Sequence, residues 1–357
     1  MSTWPDRRIL DLLGIELPIL QAPMAGATGS PMAIAVGNAG GLAALPCAML
    51  SHDQVRSEVL AFRSDCAGPL NLNFFCHQPP APDAAHAARW KQALKPYYAE
   101  LGADYDAPTP VSNRAPFDEQ SCQLIEQLRP EVVSFHFGLP PADLLQRVKA
   151  TGAKVLSSAT TVEEALWLQA RGCDAIIAMG YEAGGHRGMF LSEDITSQIG
   201  TFALVPQIVD AVQVPVIAAG GIADHRGLVA ALALGASAVQ IGTAYLFCPE
   251  AKVSAAHRQA LETASASDTA LTNLFTGRPA RGINNRIMRE LGPMSDLAPR
   301  FPLAGGALMP LRAISEAQGS SEFSNLWSGQ ALRLGRRMPA GELTRQIAGQ
   351  ALARVGR

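Results

Sequence analysis

A (β/α)8 TIM barrel is predicted by three features of this 357-residue chain. Eight short apolar runs end in Gly, Pro or a polar residue, stretches of helical period separate them, and no early G-x-G-x-x-G turn marks a doubly wound sheet. Eight strand-helix units fit the roughly 250 residues of a barrel. Gly37, Gly40 and Gly41 lack the dinucleotide spacing, which sets the open sheet aside.

The runs begin at Pro18 (PILQAP), Gly41 (GLAALPC), Leu70 (LNLNFFC), Glu131 (EVVSFHF), Ala153 (AKVLSSA), Ala175 (AIIAMG), Pro215 (PVIAAGG) and Ala238 (AVQIGTA). Their continuous apolar character suits parallel strands covered on both faces. Helices are predicted over 52–65, 142–150, 162–171, 202–212 and 225–234. Ser51, Thr160 and Asp224 precede three of them, where a side-chain oxygen can accept from a free N–H of the first turn. Two segments exceed the repeat. Residues 78–130 hold a Pro-rich start, a helical piece from Trp90 to Leu101 and turns from Ala107 to Phe117. The region after about Ala260 reads as helices joined by Gly and Pro turns. The organisation expected is a barrel over 1–260 with an insertion at about 78–130, and a smaller, mainly helical lid subdomain over 261–357 packing on the barrel mouth.

With 29 basic and 31 acidic side chains, a net charge of −2 and 48% hydrophobic residues, the chain has no polyelectrolyte footprint, and nucleic acid is not an expected partner. Six scattered cysteines without C-x-x-C spacing predict reduced thiols, a cytoplasmic location and no metal site. Charged residues from Asp6 to Glu16 interrupt the apolar core that an export leader needs. Leu17 to His52 carries no Asp, Glu, Lys or Arg, yet Pro18, Pro23, Pro31 and Pro46 cut it into pieces too short to span a bilayer. Buried strand, turn and helix are expected there, with no membrane partner.

In a barrel, residues just past the strand C-termini converge on one pocket. Those positions hold Gln21 to Gly26, Asn71 and Asn73, His136, Gly180 to Gly188, Gly220-Gly221 and Gln240 to Thr243. Glycine turns after the last two strands predict a phosphate seat, because bare N–H groups can face an anion without a Cβ in the way. His186, flanked by Gly184, Gly185 and Gly188, is the candidate acid, base or hydrogen-bond donor, and His136 is a second candidate. His77, His225 and His257 read as surface or loop residues, and Asp224 and Arg226 as helix-start residues. No G-x-S-x-G, P-loop or H-E-x-x-H occurs, which leaves hydrolase, kinase and metalloprotease readings unsupported.

At these residues the sequence resembles the nitronate monooxygenases, formerly 2-nitropropane dioxygenases, and most of all their class I group. The matching segments include Gln21-Ala22-Pro23-Met24, Asn73-Phe74-Phe75-Cys76-His77, Ser134 to Gly138, Glu182 to Gly188, Ala218 to Ile222, Gln240 to Thr243, Gly277 to Gly282 and Trp327 to Gln330. The resemblance implies a flavoprotein with FMN held by Ala22, Pro23, Met24, Asn73, Met179, Gly184, Gly185, Gly220, Gly221, Gln240, Ile241, Gly242 and Thr243. It implies His186, assisted by His136, as the catalytic side chains. The activity implied is oxidation of alkyl nitronates with O2 to a carbonyl compound and nitrite, by a monomer or homodimer acting on a small-molecule substrate. An FMN-dependent enoyl-thioester reductase is the alternative, and a flavin-binding protein without turnover a further one. Two departures stand out: Met179 where relatives carry Gln, and Phe301, Gly305 and Met309 in place of a Tyr, Tyr, Lys series. Loss of a lid cation predicts a shift toward uncharged, bulkier nitronates.

Overall fold

The structure is a computed structural model that describes residues 4–112 and 114–355. In chain order its strands are β1 (Ile19–Gln21), β2 (Ala43–Pro46), β3 (Leu70–Phe75), β4 (Val132–His136), β5 (Lys154–Ala159), β6 (Ala175–Met179), β7 (Gly185–His186), β8 (Val216–Ala219), β9 (Ala238–Ile241), β10 (Thr269–Thr272) and β11 (Ala280–Ile283). Eight of them form one parallel sheet in the order β1-β9-β8-β6-β5-β4-β3-β2. Each of the eight apolar runs supplies one of these strands.

The two edges meet. Leu42 donates its N–H to the Ile19 carbonyl and accepts from the Gln21 N–H, both at 3.0 Å, and the Leu20–Leu42 bridge closes the barrel. Gln21 continues this seam with its side chain, donating from Nε2 to the Ala44 carbonyl at 3.1 Å and accepting from the Ala44 N–H at 3.2 Å. Its amide is fully buried and stands in for a peptide pair that the short β1 cannot supply. Gly41 makes the approach possible, since a Cβ there would lie 2.9 Å from the Ile19 carbonyl oxygen.

The helices are α1 (Arg8–Leu13), α2 (Ser30–Gly37), α3 (His52–Asp65), α4 (Ala84–Leu101), α5 (Glu119–Leu128), α6 (Ala142–Ala150), α7 (Val162–Ala170), α8 (Thr201–Ala211), α9 (His225–Ala233), α10 (Ala255–Thr263), α11 (Arg286–Leu291), α12 (Gly305–Ala317) and α13 (Ala340–Val355). Ser51 caps α3 in a reciprocal capping box with Gln54, and Asp224 caps α9. The cap of α7 is Thr161, one residue beyond the expected Thr160. Thr160 instead is buried and donates its hydroxyl to Glu164.

The uncharged Leu17–His52 stretch folds as β1, α2 and β2. Among the described residues no helix is long and apolar enough to cross a membrane. The two excess segments join in a second core, separate from the barrel's, in which Trp90, Leu94 and Tyr98 pack with Leu274, Leu308 and Leu311. Trp90 Nε1 donates to the Ala304 carbonyl at 2.9 Å and the Tyr98 hydroxyl to that of Ala307 at 2.6 Å, so α4 and α12 are tied by polar bonds as well as apolar area. The end of the chain departs from expectation. Helix α13 packs on α2 and α9 against the barrel wall rather than over the mouth, burying Leu343, Ile347 and Ala351 in the barrel core.

Candidate active site

A cavity of about 300 Å³ opens at the C-terminal ends of the strands, between the barrel and the lid. Every predicted site residue except Ile241 lines it: Ala22, Pro23, Met24, Asn73, His136, Met179, Gly184, Gly185, His186, Gly220, Gly221, Gln240, Gly242 and Thr243. Ile241 is fully buried in the barrel core, and only its carbonyl takes part locally, accepting from the Ala22 N–H at 2.8 Å. The alternation of a strand accounts for this, since its neighbour Gln240 takes the cavity side.

The glycine turns form a cradle. Gly220 and Gly221 have φ of +113° and +71°, and among the described residues the N–H groups of Gly220, Gly221 and Gly242 have no hydrogen-bond acceptor. Thr243 begins a 3-10 turn beside them and accepts at Oγ1 from the Gly329 N–H at 2.9 Å. Gly184 lets the 328–329 segment close over this end, because a Cβ on it would lie 2.5 Å from the Gly329 nitrogen. Free N–H groups clustered at a turn are a donor set for an anion such as phosphate. Farther in, Asn73 spends its amide hydrogens on Ser134, leaving its Oδ1 as an acceptor toward the cavity.

His186 sits in β7, whose backbone is held by its antiparallel pairing with β11. Its Nε2 lies 3.0 Å from Thr276 Oγ1, while Nδ1 has no hydrogen-bond partner among the described residues. Thr276 can donate to Nε2 or accept from it, so the ring can present an N–H or a lone pair at Nδ1. Burial, then the positive charge of Arg114, holds the imidazole well below its ordinary pKa. The ring is neutral near pH 7. Phe301, Phe75, Phe137 and Trp327 stand around it with centroids 5.4 to 6.2 Å away, which gives the neutral form an apolar enclosure.

His136 occupies the cavity wall with both nitrogens already used. Nε2 donates to the His186 carbonyl at 3.2 Å, and Nδ1 accepts from the Ser158 hydroxyl at 2.8 Å. In this arrangement neither ring nitrogen is free for a substrate, and the ring ties β4 to the His186 carbonyl. His77 and His257 are not surface residues. His77 is buried against Phe301 at 4.7 Å, and His257 lines the cavity and donates to the Trp327 carbonyl at 3.2 Å. Helical period and neighbouring polarity gave no sign of either contact.

These buried imidazoles predict acid sensitivity. Burial chiefly pushes His136 down to about 3, and His77 and His257 to about 4. Each takes up its proton more readily in the unfolded chain, so its contribution is complete above about pH 6.5 and is lost as pH falls toward the folded value. The melting temperature should therefore drop steadily from about pH 7 to about pH 5. In His136→Gln, where one such group is gone, the same scan should give a shallower slope; an identical slope would refute the assignment.

The lid does not present the side chains its sequence suggested. Phe301 does reach the ring of His186, but Gly305 faces the Phe275 carbonyl and Met309 is half-exposed, and neither lines the cavity. The expected loss of charge at the mouth is thus not realised through these positions. Arg114, Arg312 and Lys252 line it instead, none of them picked out by motif spacing. Arg187 is fully buried and donates to the carbonyls of Met179 and Gly180 at 2.7 and 2.6 Å, shaping the turn after β6 without facing the cavity. Among the described residues no group of His, Cys, Asp and Glu is arranged to hold a metal ion.

Comparison with known proteins agrees over the full length. The family model described as Nitronate monooxygenase matches residues 6–349. The nitronate monooxygenase of Pseudomonas aeruginosa is 42% identical, covering 95% of this chain and 97% of its own, and that of Paraburkholderia phytofirmans is 40% identical, covering 96% and 94%. A nitroalkane oxidase from Streptomyces ansochromogenes superposes with a TM-score of 0.88 at 36% identity over 97% of this chain and 98% of its own. FabK from Thermotoga maritima does so with 0.75 at 27% over 99% and 98%.

Proposed function

The chain belongs to the nitronate monooxygenase family of oxidoreductases, and from that premise we propose that it holds FMN in the barrel mouth and oxidises alkyl nitronates with O2. The observation that carries the reading is one cavity with a cradle of free glycine N–H groups at one end and the unpartnered Nδ1 of His186 at the other. The cradle fits a flavin phosphate, and the Asn73 Oδ1 fits a ring N–H. FMN, when bound, supplies the electron acceptor, with O2 as terminal oxidant and a carbonyl compound and nitrite as products.

The protein's own share is binding, orientation and exclusion of water. Gly220, Gly221, Gly242 and Thr243 would hold the phosphate, and the backbone from Ala22 to Met24 would hold the ring. With the Thr276 hydroxyl hydrogen directed to His186 Nε2 at 3.0 Å rather than to the Arg278 carbonyl at 3.4 Å, Nδ1–H would donate to an oxygen of the anionic nitronate. The aromatic side chains around His186 keep water from competing for that bond. Six unpaired cysteines support a cytoplasmic location.

The enoyl-thioester reductase alternative has weaker support. The enoyl reductase domain of MlnA from Bacillus amyloliquefaciens shares 14% identity, a likeness of fold alone. For the cofactor, heat release of the chromophore from purified protein and its identification provide the test. FMN is expected; FAD, or no flavin after reconstitution, would exclude the reading.

A further inference from the structure

We propose that a second cavity, outside the barrel mouth, is a binding site for a small aromatic carboxylate that carries a hydroxyl at the end away from its charge. The inference stands apart from the nitronate reading above. The cavity measures about 540 Å³ and lies where the connections after β3 and β4 meet α6 and α7. It shares no lining residue with the mouth. A volume of this size encloses a small organic molecule.

Its floor holds a polar group with nothing to bind. His77 is only 5% exposed and lines the cavity, yet its buried Nδ1 has no hydrogen-bond partner and its Nε2 makes no hydrogen bond to a described residue. Buried polar groups are otherwise almost always bonded. The ring packs edge-on against Phe301 at 4.7 Å, a contact that holds it without using either nitrogen. Burial pushes its pKa down to about 4, so near pH 7 it is a neutral imidazole with one donor and one acceptor. A ligand hydroxyl can serve either of them.

The rim is opposite in character. Gln78, Gln146 and Arg171 line the cavity and are exposed, while Phe117, Pro140 and Leu145 line its buried part. Arg171 brings a positive charge, and no described Asp or Glu lines the cavity to match it. Its guanidinium stands 3.7 Å from the centroid of the Trp167 ring, and Nη1 donates to the Trp167 carbonyl at 3.4 Å. The group is thus held on the cavity wall, with its other N–H groups unpaired among the described residues. A guanidinium held this way can take a carboxylate through two parallel N–H bonds. Polarity then orders the ligand. Its charge stays at the rim, where both ions keep part of their water, a flat ring covers the apolar wall, and a hydroxyl reaches the floor at His77.

Calorimetric titration of the purified protein tests this with 4-hydroxyphenylacetate and two controls. Phenylacetate lacks the hydroxyl, and 2-(4-hydroxyphenyl)ethanol lacks the carboxylate. The unaltered protein should bind 4-hydroxyphenylacetate more tightly than either control, by about threefold to tenfold. Arg171→Gln should remove the advantage over the alcohol and leave the alcohol's own affinity unchanged, and Arg171→Lys should keep part of it. His77→Phe should remove the advantage over phenylacetate. Arg171 is exposed, so its variants keep the core intact and report even where His77→Phe fails to fold. No binding of 4-hydroxyphenylacetate, equal affinity for the three compounds, or an affinity unaffected by Arg171→Gln would overturn the inference. Binding lost in Arg114→Gln and kept in Arg171→Gln would also overturn it, by placing the carboxylate in the barrel mouth.

Discussion

Replacing His186 with Asn is expected to lower kcat for alkyl nitronates by about a hundredfold or more, equivalent to about 2.7 kcal/mol of barrier, with FMN still bound. The reason is local. The backbone of residue 186 is held by pairing with Ala280 and by the His136 Nε2–H on its carbonyl, so the substitution removes the ring without releasing the loop. Asn also places a shorter amide beside Thr276 and removes the Nδ1 group that the proposed function aims at the nitronate. A low folded pKa further predicts that kcat/KM shows no imidazole ionisation between about pH 6 and about pH 8, because the ring stays neutral throughout. Steady-state kinetics on variant and parent check both points. An unchanged kcat would move the chemistry to the flavin alone.

Gly221→Asp should raise the FMN dissociation constant by about a hundredfold. At φ +71° any side chain is strained, Asp and Asn less than most, and the Cβ itself would meet only the Glu182 side chain at 3.4 Å, an ordinary contact. That backbone strain is common to the Asp and Asn variants, so the comparison between them isolates the charge. The new carboxylate would stand where the proposed function seats the phosphate, and repulsion would add to the loss of charge-assisted bonds of about 1.5–3 kcal/mol. Gly221→Asn has nearly the same shape without the charge and should lose much less. Fluorescence titration of the apoproteins with FMN distinguishes them; equal affinities in the Asp and Asn variants would place the phosphate elsewhere.

The barrel was legible because its signal is repeated. Each of the eight runs is short, apolar and followed by a turn, and one misjudged run would not have changed the count. The pocket was legible for the same reason: strand ends converge, so residues far apart in sequence could be grouped before any contact was known. What escaped were properties of individual contacts. The two nitrogens of His136 are both taken, and neither the Ser158 hydroxyl nor the His186 carbonyl that takes them is signalled by spacing. Ile241 sits one residue from Gln240 on the opposite face, and a turn motif read as a block hid that alternation. Arg114 lies in an irregular stretch with no period at all. Its place on the cavity wall is visible only in three dimensions. Met309 and Gly305 failed in the reverse sense, since residues four apart on α12 share a face, but that face is not the one lining the cavity.

The most direct measurement is anaerobic mixing of the purified flavin-loaded protein with propionate 3-nitronate, with no pyridine nucleotide present, followed by its flavin absorbance. The account predicts rapid loss of the oxidised flavin spectrum, its return on admission of O2, and release of nitrite. A flavin that stays oxidised with every nitronate, yet is reduced by NADH or NADPH and then reoxidised by a crotonyl thioester, would contradict it and assign the barrel to enoyl reduction.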